Sequence, residues 1–211
     1  GNDFIRIASK LGASAALVTT ISNETRIQQI KVKNPVDTLI RIATLWRQQF
    51  KIPVIAITGS NGKTSTKELL YHLLSDSYKV HATNKNFNTS LGLSLTLLEL
   101  DEFHEISILE LGSSKPGEIK ALCEISDPTH GIITNIAPAH YNNFGSIQNI
   151  VNEKIELFRY LKDGTCFLNI SDKELNKVHI EGKKVTFGIN VNCDFPGMTS
   201  LNNDGSFDLT I

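Results

Sequence analysis

The stretch VIAITGSNGKTSTKELLYHLL, residues 54–74, decides how the rest of the chain is interpreted. It opens with a short, β-branched apolar run at 54–58, which is typical of a buried parallel strand. A turn of small residues follows at 59–62, and the next segment carries leucines at helical spacing, at positions 69, 70, 73 and 74. A strand, a glycine-rich turn, Lys63-Thr64 and a helix together predict a phosphate-binding loop.

The chemistry of such a loop follows from its backbone. The N–H groups at the start of a helix lack partners within the helix, and the helix dipole adds partial positive charge there. Lys63 would neutralise phosphate charge, and the Thr64 hydroxyl would ligate Mg²⁺. The general pattern has a glycine where Ile57 stands, so an ordinary strand, turn and helix with a solvated lysine is the alternative. The flanking pattern favours a site for a nucleoside triphosphate.

Composition excludes several classes of protein. The 211 residues carry a net charge of −1, which gives no bulk electrostatic support for binding nucleic acid. No apolar run is long enough to cross a bilayer, and the first residues lack the layout of a signal peptide. The cysteines at 123, 166 and 193 are scattered and odd in number, as expected of reduced thiols. The sequence therefore predicts a cytoplasmic globular protein without a nucleic-acid partner or a membrane span.

The order of the predicted elements indicates the fold class. Strands are predicted at 54–58, 78–83, 106–111, 131–135, 165–169 and 183–187. Helices are predicted at 63–75, 90–99, 116–124 and 146–162. This alternation is typical of an α/β protein with a mostly parallel sheet and helices on both faces. The tail, 193–211, contains a turn at 202–205 and is expected to pair antiparallel at an edge.

The first 33 residues differ from this pattern. They predict a helix that Gly12 ends, followed by strands at 15–18 and 29–32. Asn34-Pro35 is a break, and Asp37 is expected to cap the helix after it. We therefore expect a boundary near Lys33, with 1–33 the end of an N-terminal domain and 34–211 a central ATP-binding domain.

Polar residues that follow the strands are the candidates for a site, because ligands bind beyond the carboxyl ends of parallel strands. Glu110 ends an apolar strand, where a buried carboxylate needs a cation. That cation is either nucleotide-bound Mg²⁺ or a structural lysine or arginine. His140 follows another strand in a loop, and it is either functional or merely solvated.

Lys154 lies on the apolar stripe of the helix predicted at 146–162, between Val151 and Phe158. Burial of an unpaired ammonium group is costly, so the pKa of Lys154 is expected to fall. A neutral amine can react with CO₂ to form an anionic carbamate, which can ligate Mg²⁺. The alternative is a lysine whose stem follows the helix outward to water.

Taken together, these motifs resemble the Mur ligases, ATP-dependent amide-forming enzymes of bacterial cell-wall synthesis. The matching segments cover nearly the whole chain and read TGSNGKTS (58–65), NFNTSLG (86–92), LTLL (95–98), ELGSSKPGEI (110–119), TNIAPAH (134–140), FGS (144–146) and KIELF (154–158). The phosphate loop alone would also fit folylpolyglutamate synthases. The FGS and GEI segments favour the Mur ligases that add D-Ala-D-Ala.

The resemblance implies roles for individual residues. Those assigned to the nucleotide are Thr58, Gly59, Ser60, Asn61, Gly62, Lys63, Thr64 and Ser65. Those assigned to catalysis are Lys63, Lys154, His140, Asn86 and Asn88. Those assigned to Mg²⁺ are Thr64, Glu110, His140 and Lys154, the last as a carbamate.

The resemblance also implies a reaction. ATP would activate the terminal carboxylate of a UDP-N-acetylmuramoyl-tripeptide as an acyl-phosphate, and the amine of D-Ala-D-Ala would then displace phosphate. The family's UDP-binding segment would precede Gly1 and its C-terminal domain would follow Ile211, so the fragment alone is expected to be inactive and monomeric. Two alternatives stay open, a non-catalytic ATP-binding relative and a folate-type ligase.

Overall fold

The computed structural model of the chain describes residues 4–23, 25–139, 141–202 and 206–210. Its main feature is an eight-stranded sheet with the spatial order β10-β9-β8-β7-β6-β3-β5-β4. The strands are β3 (Val54–Thr58), β4 (Val80–Ala82), β5 (Ile106–Glu110), β6 (His130–Ile133), β7 (Thr165–Asn169), β8 (Lys183–Ile189), β9 (Phe195–Leu201) and β10 (Phe207–Thr210). All neighbours pair parallel except β9 and β10, which pair antiparallel at the edge. The mostly parallel sheet and the antiparallel tail are as predicted, while the centre of the predicted turn, 203–205, lies outside the described residues.

Helices cover both faces of this sheet, as expected because successive side chains of each buried strand point to opposite faces. They are α2 (Pro35–Arg47), α3 (Lys63–Ser75), α4 (Ser90–Leu97), α5 (Glu118–Ser126), α6 (Tyr141–Phe144), α7 (Ile147–Lys154) and α8 (Glu156–Tyr160), with a short 3-10 helix at Leu175–Lys177. Val54 and Ala56 of the central strand belong to the core that α4, α5 and α8 cover. Ile57 lies on the other face, beside Glu110 in register, and α3 packs there.

Two helices differ from their predicted form. The helix predicted at 146–162 is divided into α7 and α8 at Ile155, whose backbone stays in the right-handed helical region (φ −70°, ψ −8°). The Ile155 N–H still reaches the Val151 carbonyl at 2.9 Å, so α8 follows α7 directly. In α3 the buried residue is Lys67, whereas Leu69 and Leu73 of the expected apolar stripe are 64% and 68% exposed.

The first residues carry a second sheet, distinct from the main one. It is a parallel pair of strands, β1 (Ala15–Val18) and β2 (Gln28–Lys31), and α1 (Ile5–Lys10) precedes it. The helix and both strands are as predicted, but Asn34 and not Asp37 caps the next helix. The Asn34 side chain accepts hydrogen bonds from the N–H groups of Val36 and Asp37, and Pro35 takes the first helical position, where a missing N–H costs nothing.

No helix in the described ranges is both long and apolar enough to cross a bilayer.

Candidate active site

The loop after β3 has the geometry of an anion-binding turn. Gly62 adopts a left-handed conformation (φ 78°) as the N-cap of α3, and no side chain caps that helix within the described part of the chain. The first-turn N–H groups of α3 therefore face the loop without a side-chain partner, which is the arrangement that binds phosphate. The Lys63 Nζ folds back over the loop and donates to the Gly59 carbonyl at 2.9 Å.

The segment after β6 braces this loop. The Asn135 carbonyl accepts the Ser60 N–H at 3.0 Å, and its side-chain Oδ1 accepts the Asn61 N–H at 3.0 Å. The Thr134 hydroxyl donates to the Asn61 carbonyl at 2.6 Å, and the Ser60 hydroxyl donates to the Ala137 carbonyl at 2.9 Å. Since these bonds occupy the early amides of the loop, the amides from Gly62 onward are the ones aimed at the site.

Substitution of Gly59 is expected to have a large effect on stability, because its backbone has φ 143° and lies against Thr134. A Cβ at this position would stand 2.0 Å from the Thr134 Oγ1. We expect Gly59→Ala to lower the free energy of unfolding by about 3 kcal/mol, from backbone strain and the displaced hydroxyl together. Gly145→Ala is the control, since Gly145 has φ 73° but open space around it; it should cost about 1 kcal/mol. Urea unfolding of both variants measures this, and equal losses would contradict it.

Glu110 links the loop to the neighbouring strand end. Its Oε2 accepts a hydrogen bond from the Thr64 hydroxyl at 2.8 Å, and its Oε1 accepts one from the Asn88 Nδ2 at 2.9 Å. The Thr83 Oγ1 accepts the Glu110 backbone N–H at 2.9 Å, which fixes the strand end in place. These bonds bring together three residues that the sequence assigned to one site.

The alternative in which Glu110 forms a structural salt bridge is wrong for the described residues. Glu110 is 2% exposed, and no described lysine, arginine or histidine nitrogen lies within 4 Å of its carboxylate. The groups that contact it are the Thr64 hydroxyl and the amide nitrogen of Asn88, so the oxygen atoms gathered at this point are those of Thr64 and Glu110. Hard divalent cations such as Mg²⁺ prefer oxygen ligands, so these residues fit that ion.

Lys154 points inward, as its place on the apolar stripe predicted. It is 3% exposed, and its Nζ donates to the Ser113 hydroxyl at 2.7 Å. Burial and, to a smaller extent, the positive charge of Lys63 lower the pKa of Lys154 to about 8, against weaker raising effects of Glu153 and Glu118. The alternative of a lysine reaching bulk water is therefore wrong.

Two spaces meet at Lys63. A small cavity of about 20 Å³ lies between the phosphate loop and α7, and Lys63 and Lys154 both line it. An open cleft of about 270 Å³ extends from Lys63 along Asn88 and the segment 112–114. The loop lysine therefore stands between an enclosed amine and an open cleft.

The remaining predicted site residues have different positions. The Thr58 hydroxyl is buried and donates to the Leu111 carbonyl at 2.8 Å, which ties β3 to the end of β5. Ser65 and Asn86 are exposed, and neither side chain has a described contact with Glu110 or Lys63. His140 lies outside the described residues, so its assignment stays a prediction. Among the described residues, no group of three or more His, Cys, Asp or Glu side chains is arranged to hold a metal.

Sequence reasoning assigned no specific role to three residues that hold this site. Ser113 contacts Lys154, Asn135 braces the phosphate loop, and Glu153 is a buried carboxylate beside Lys154 in sequence. Asn135 follows a strand, which was a usable signal. Glu153 could have been suspected because it is charged and adjoins the inward stripe of its helix.

Comparison with known proteins identifies the family. The Mur ligase middle domain matches residues 57–206, a span that contains the phosphate loop, Glu110 and Lys154. This chain belongs to the Mur ligase family. The family and the fold predicted from the motifs are thereby confirmed.

Individual Mur ligases give the degree of similarity. The UDP-N-acetylmuramoyl-tripeptide–D-alanyl-D-alanine ligase of Bacillus subtilis is 34% identical over 197 residues, which is 92% of this chain and 43% of that protein. The crystal structure of the MurF ligase from Thermotoga maritima in complex with ADP matches with a TM-score of 0.83 and 31% identity. That match covers 98% of this chain and 48% of the Thermotoga chain. The chain thus spans less than half the length of these Mur ligases.

The folate enzymes are more distant. The structure of Escherichia coli FolC in complex with DHPP and ADP has a TM-score of 0.56 and 16% identity, over 97% of this chain and 55% of FolC. At that identity the likeness extends to the fold alone.

Proposed function

We propose that this chain carries the nucleotide-binding part of a UDP-N-acetylmuramoyl-tripeptide–D-alanyl-D-alanine ligase. The observation that carries the proposal is the junction of Thr64 with Glu110 at 2.8 Å. It joins the start of the helix after the phosphate loop to the acidic end of the neighbouring strand. The similarity to ligases of that name supports the choice of substrates over those of the folate enzymes. The domain division near Lys33 and a bacterial cytoplasmic location belong to the same proposal.

The phosphate loop would hold the triphosphate of ATP. The first-turn N–H groups of α3 face the space above Gly62, and Lys63 would leave the Gly59 carbonyl to pair with phosphate oxygens. Neutralisation of charge on the transferring phosphoryl group is the main contribution a protein makes to this chemistry. Ser60 and Asn61 would shape the loop, because their amides are already bonded to Asn135.

Thr64 and Glu110 would hold Mg²⁺ through oxygen atoms, with Asn88 orienting the carboxylate. The ion, when bound, would supply positive charge beside the phosphates. Lys154, together with His140, would complete a second metal position once its amine has become a carbamate. That reaction joins the neutral Nζ to the carbon of CO₂ with loss of one proton, and the lowered pKa of Lys154 increases the neutral fraction.

The cleft beside Asn88 would admit the carboxylate end of the tripeptide. A carboxylate oxygen would attack the γ-phosphorus of ATP, forming the acyl-phosphate and releasing ADP. The amine of D-Ala-D-Ala would then attack the acyl carbon, with loss of a proton and departure of phosphate. Lys63 stands at the junction of the cleft and the loop, where it can contact the transferring group in the first step.

Glu110→Gln tests the metal assignment, because it keeps the size of the side chain and removes its charge. We expect the variant to bind ADP without metal as the wild type does, and to lose on the order of tenfold in the affinity gained from Mg²⁺. Titration calorimetry with ADP, in the presence and absence of Mg²⁺, measures both values. An unchanged gain from Mg²⁺ would show that Glu110 does not serve the ion.

The decisive assay of function is phosphate release from ATP by the full-length gene product. Three mixtures separate the candidates: muramoyl tripeptide with D-Ala-D-Ala, folate with glutamate, and ATP alone. Phosphate release only with the first pair supports the proposal. Release with folate and glutamate would indicate a folate-type ligase, and binding of ATP without release in any mixture would indicate a non-catalytic relative.

Lys154→Ala in the same assay is expected to lose activity that high bicarbonate cannot restore, because no amine remains to form the carbamate.

A further inference from the structure

Glu153 is a buried carboxylate with two unusual partners. It is 4% exposed. Its Oε2 accepts the Gly117 N–H at 2.7 Å and its Oε1 accepts the Ile119 N–H at 2.8 Å. Both donors belong to the start of α5, whereas Glu153 lies on α7, 34 residues from Ile119 along the chain. A side chain of one helix therefore caps another.

The start of α5 needs this partner. Its N-cap is Gly117 in a left-handed conformation (φ 89°), which has no side chain to accept the first N–H groups. A carboxylate at a helix N-terminus is stabilised by the N–H groups and by the helix dipole. Glu153 thus has a favourable partner for its charge in the interior, and α5 is fixed to α7.

The segment 112–117 connects the active-site strand β5 to α5, and α7 holds it at both ends. Near its start, the Ser113 hydroxyl accepts the hydrogen bond from Lys154 at 2.7 Å. At its end, Gly117 donates to Glu153. Because Glu153 and Lys154 are consecutive, a single turn of α7 fixes the segment that encloses the Lys154 amine.

We propose that Glu153 is a positioning residue for Lys154, holding the segment 112–117 against α7 so that the amine stays enclosed beside Ser113 and faces the phosphate loop. The importance of this placement for the reaction rests on the function proposed above for Lys154. The placement itself can be measured without that reaction.

Competitive trace labelling of lysines with acetic anhydride, read by mass spectrometry, tests the proposal on the whole chain. Lys67 is the internal reference, because it is also 3% exposed but lies on α3 and donates to the Thr83 carbonyl at 2.7 Å. In Glu153→Ala we expect Lys154 to be labelled on the order of tenfold faster, since local opening of the segment exposes it. Labelling of Lys67 should stay at its wild-type rate.

The outcomes separate positioning from general stability. Equal acceleration at Lys154 and Lys67 would indicate global loosening and overturn the proposal, and so would an unchanged rate at Lys154. Glu153→Gln keeps one carbonyl acceptor but turns an amide group toward an N–H donor, so its effect on Lys154 should be intermediate. Glu156→Gln is the matched control, because Glu156 lies on α8 and pairs with Arg159 of the same helix. It should leave the labelling rate of Lys154 unchanged.

Binding of Mg²⁺-ADP to the same samples is measured in parallel. A wild-type chain that does not bind the nucleotide would refute the proposed function and leave the labelling result valid.

Discussion

Lys63→Ala is expected to weaken binding of Mg²⁺-ADP by on the order of 100-fold, because it removes the charged donor from the phosphate loop. The side chain now bonds to the Gly59 carbonyl and lies between the enclosed cavity and the open cleft. In the full-length protein the same change should abolish turnover, since Lys63 lines both the cavity beside the loop and the open cleft, whereas Lys154 lines the cavity alone. Titration calorimetry on this chain and phosphate release from the full-length protein are the two measurements.

Lys51→Ala is the control for this experiment. Lys51 is exposed and precedes the amino end of β3, at the opposite end of the strand from the loop. Lys51→Ala changes the net charge by the same amount as Lys63→Ala, so the comparison corrects for the effect of long-range electrostatics on binding. A similar loss of affinity in both variants would mean that the loop does not bind the phosphates.

Lys154→Met is expected to stabilise the fold by about 2 kcal/mol at pH 7. The pKa of Lys154 falls from 10.5 to about 8 on folding, and each unit corresponds to about 1.4 kcal/mol of cost for the charged form. Methionine has a similar volume and no charge. The lost hydrogen bond to the Ser113 hydroxyl costs about 1 kcal/mol, which reduces the gain. Such a gain from removal of a residue is typical of sites where stability is given up for chemistry.

The pH dependence follows from the sign of the shift. Below about pH 8 the amine is charged in both the folded and the unfolded state, so the cost is fully present. Between about pH 8 and the unfolded pKa only the unfolded state binds the proton, so the stability of the wild type rises with pH. The difference between Lys154→Met and the wild type should therefore shrink from pH 8 to pH 10.

Urea unfolding of both proteins at pH 7, 8, 9 and 10 measures this difference. A variant less stable than the wild type at pH 7, or a difference that does not change with pH, would contradict a buried and charge-penalised Lys154.

The fold could be predicted where local pattern carries the information. The phosphate loop required only a short apolar strand, two glycines and Lys63-Thr64 in sequence, and the helix predicted at 63–75 is observed as Lys63–Ser75. Strand positions were also right to within about two residues, because buried parallel strands are continuous apolar runs. Ile155 shows the limit of this reasoning, since nothing in the local periodicity marks the one-residue break between α7 and α8.

Contacts between distant segments could not be predicted in the same way. Asn135 bonds to Asn61 across 74 residues, and Glu153 bonds to Gly117 across 36. Such pairs depend on which strands are neighbours in the sheet, and the sequence order does not state that β6 lies next to β3. For the same reason Lys67 was not recognised as the inward residue of α3, whose leucines suggested a different face.

For Glu110 and Lys154 the sequence left two environments open, and the burial and contacts of each side chain distinguish between them. Each position predicted a charged group in an apolar setting, with two physical outcomes left open. The structure surrounds Glu110 with a hydroxyl and an amide, and it encloses the Lys154 amine beside Ser113. Both arrangements fit the nucleotide and metal site that we propose.

A crystal structure of this chain with Mg²⁺-ADP tests the central claim most directly. We predict that the β-phosphate lies on the N–H groups that follow Gly62, with Lys63 turned toward it and the metal between the Thr64 hydroxyl and Glu110. A nucleotide bound elsewhere on the chain, with Lys63 still on the Gly59 carbonyl, would contradict the account.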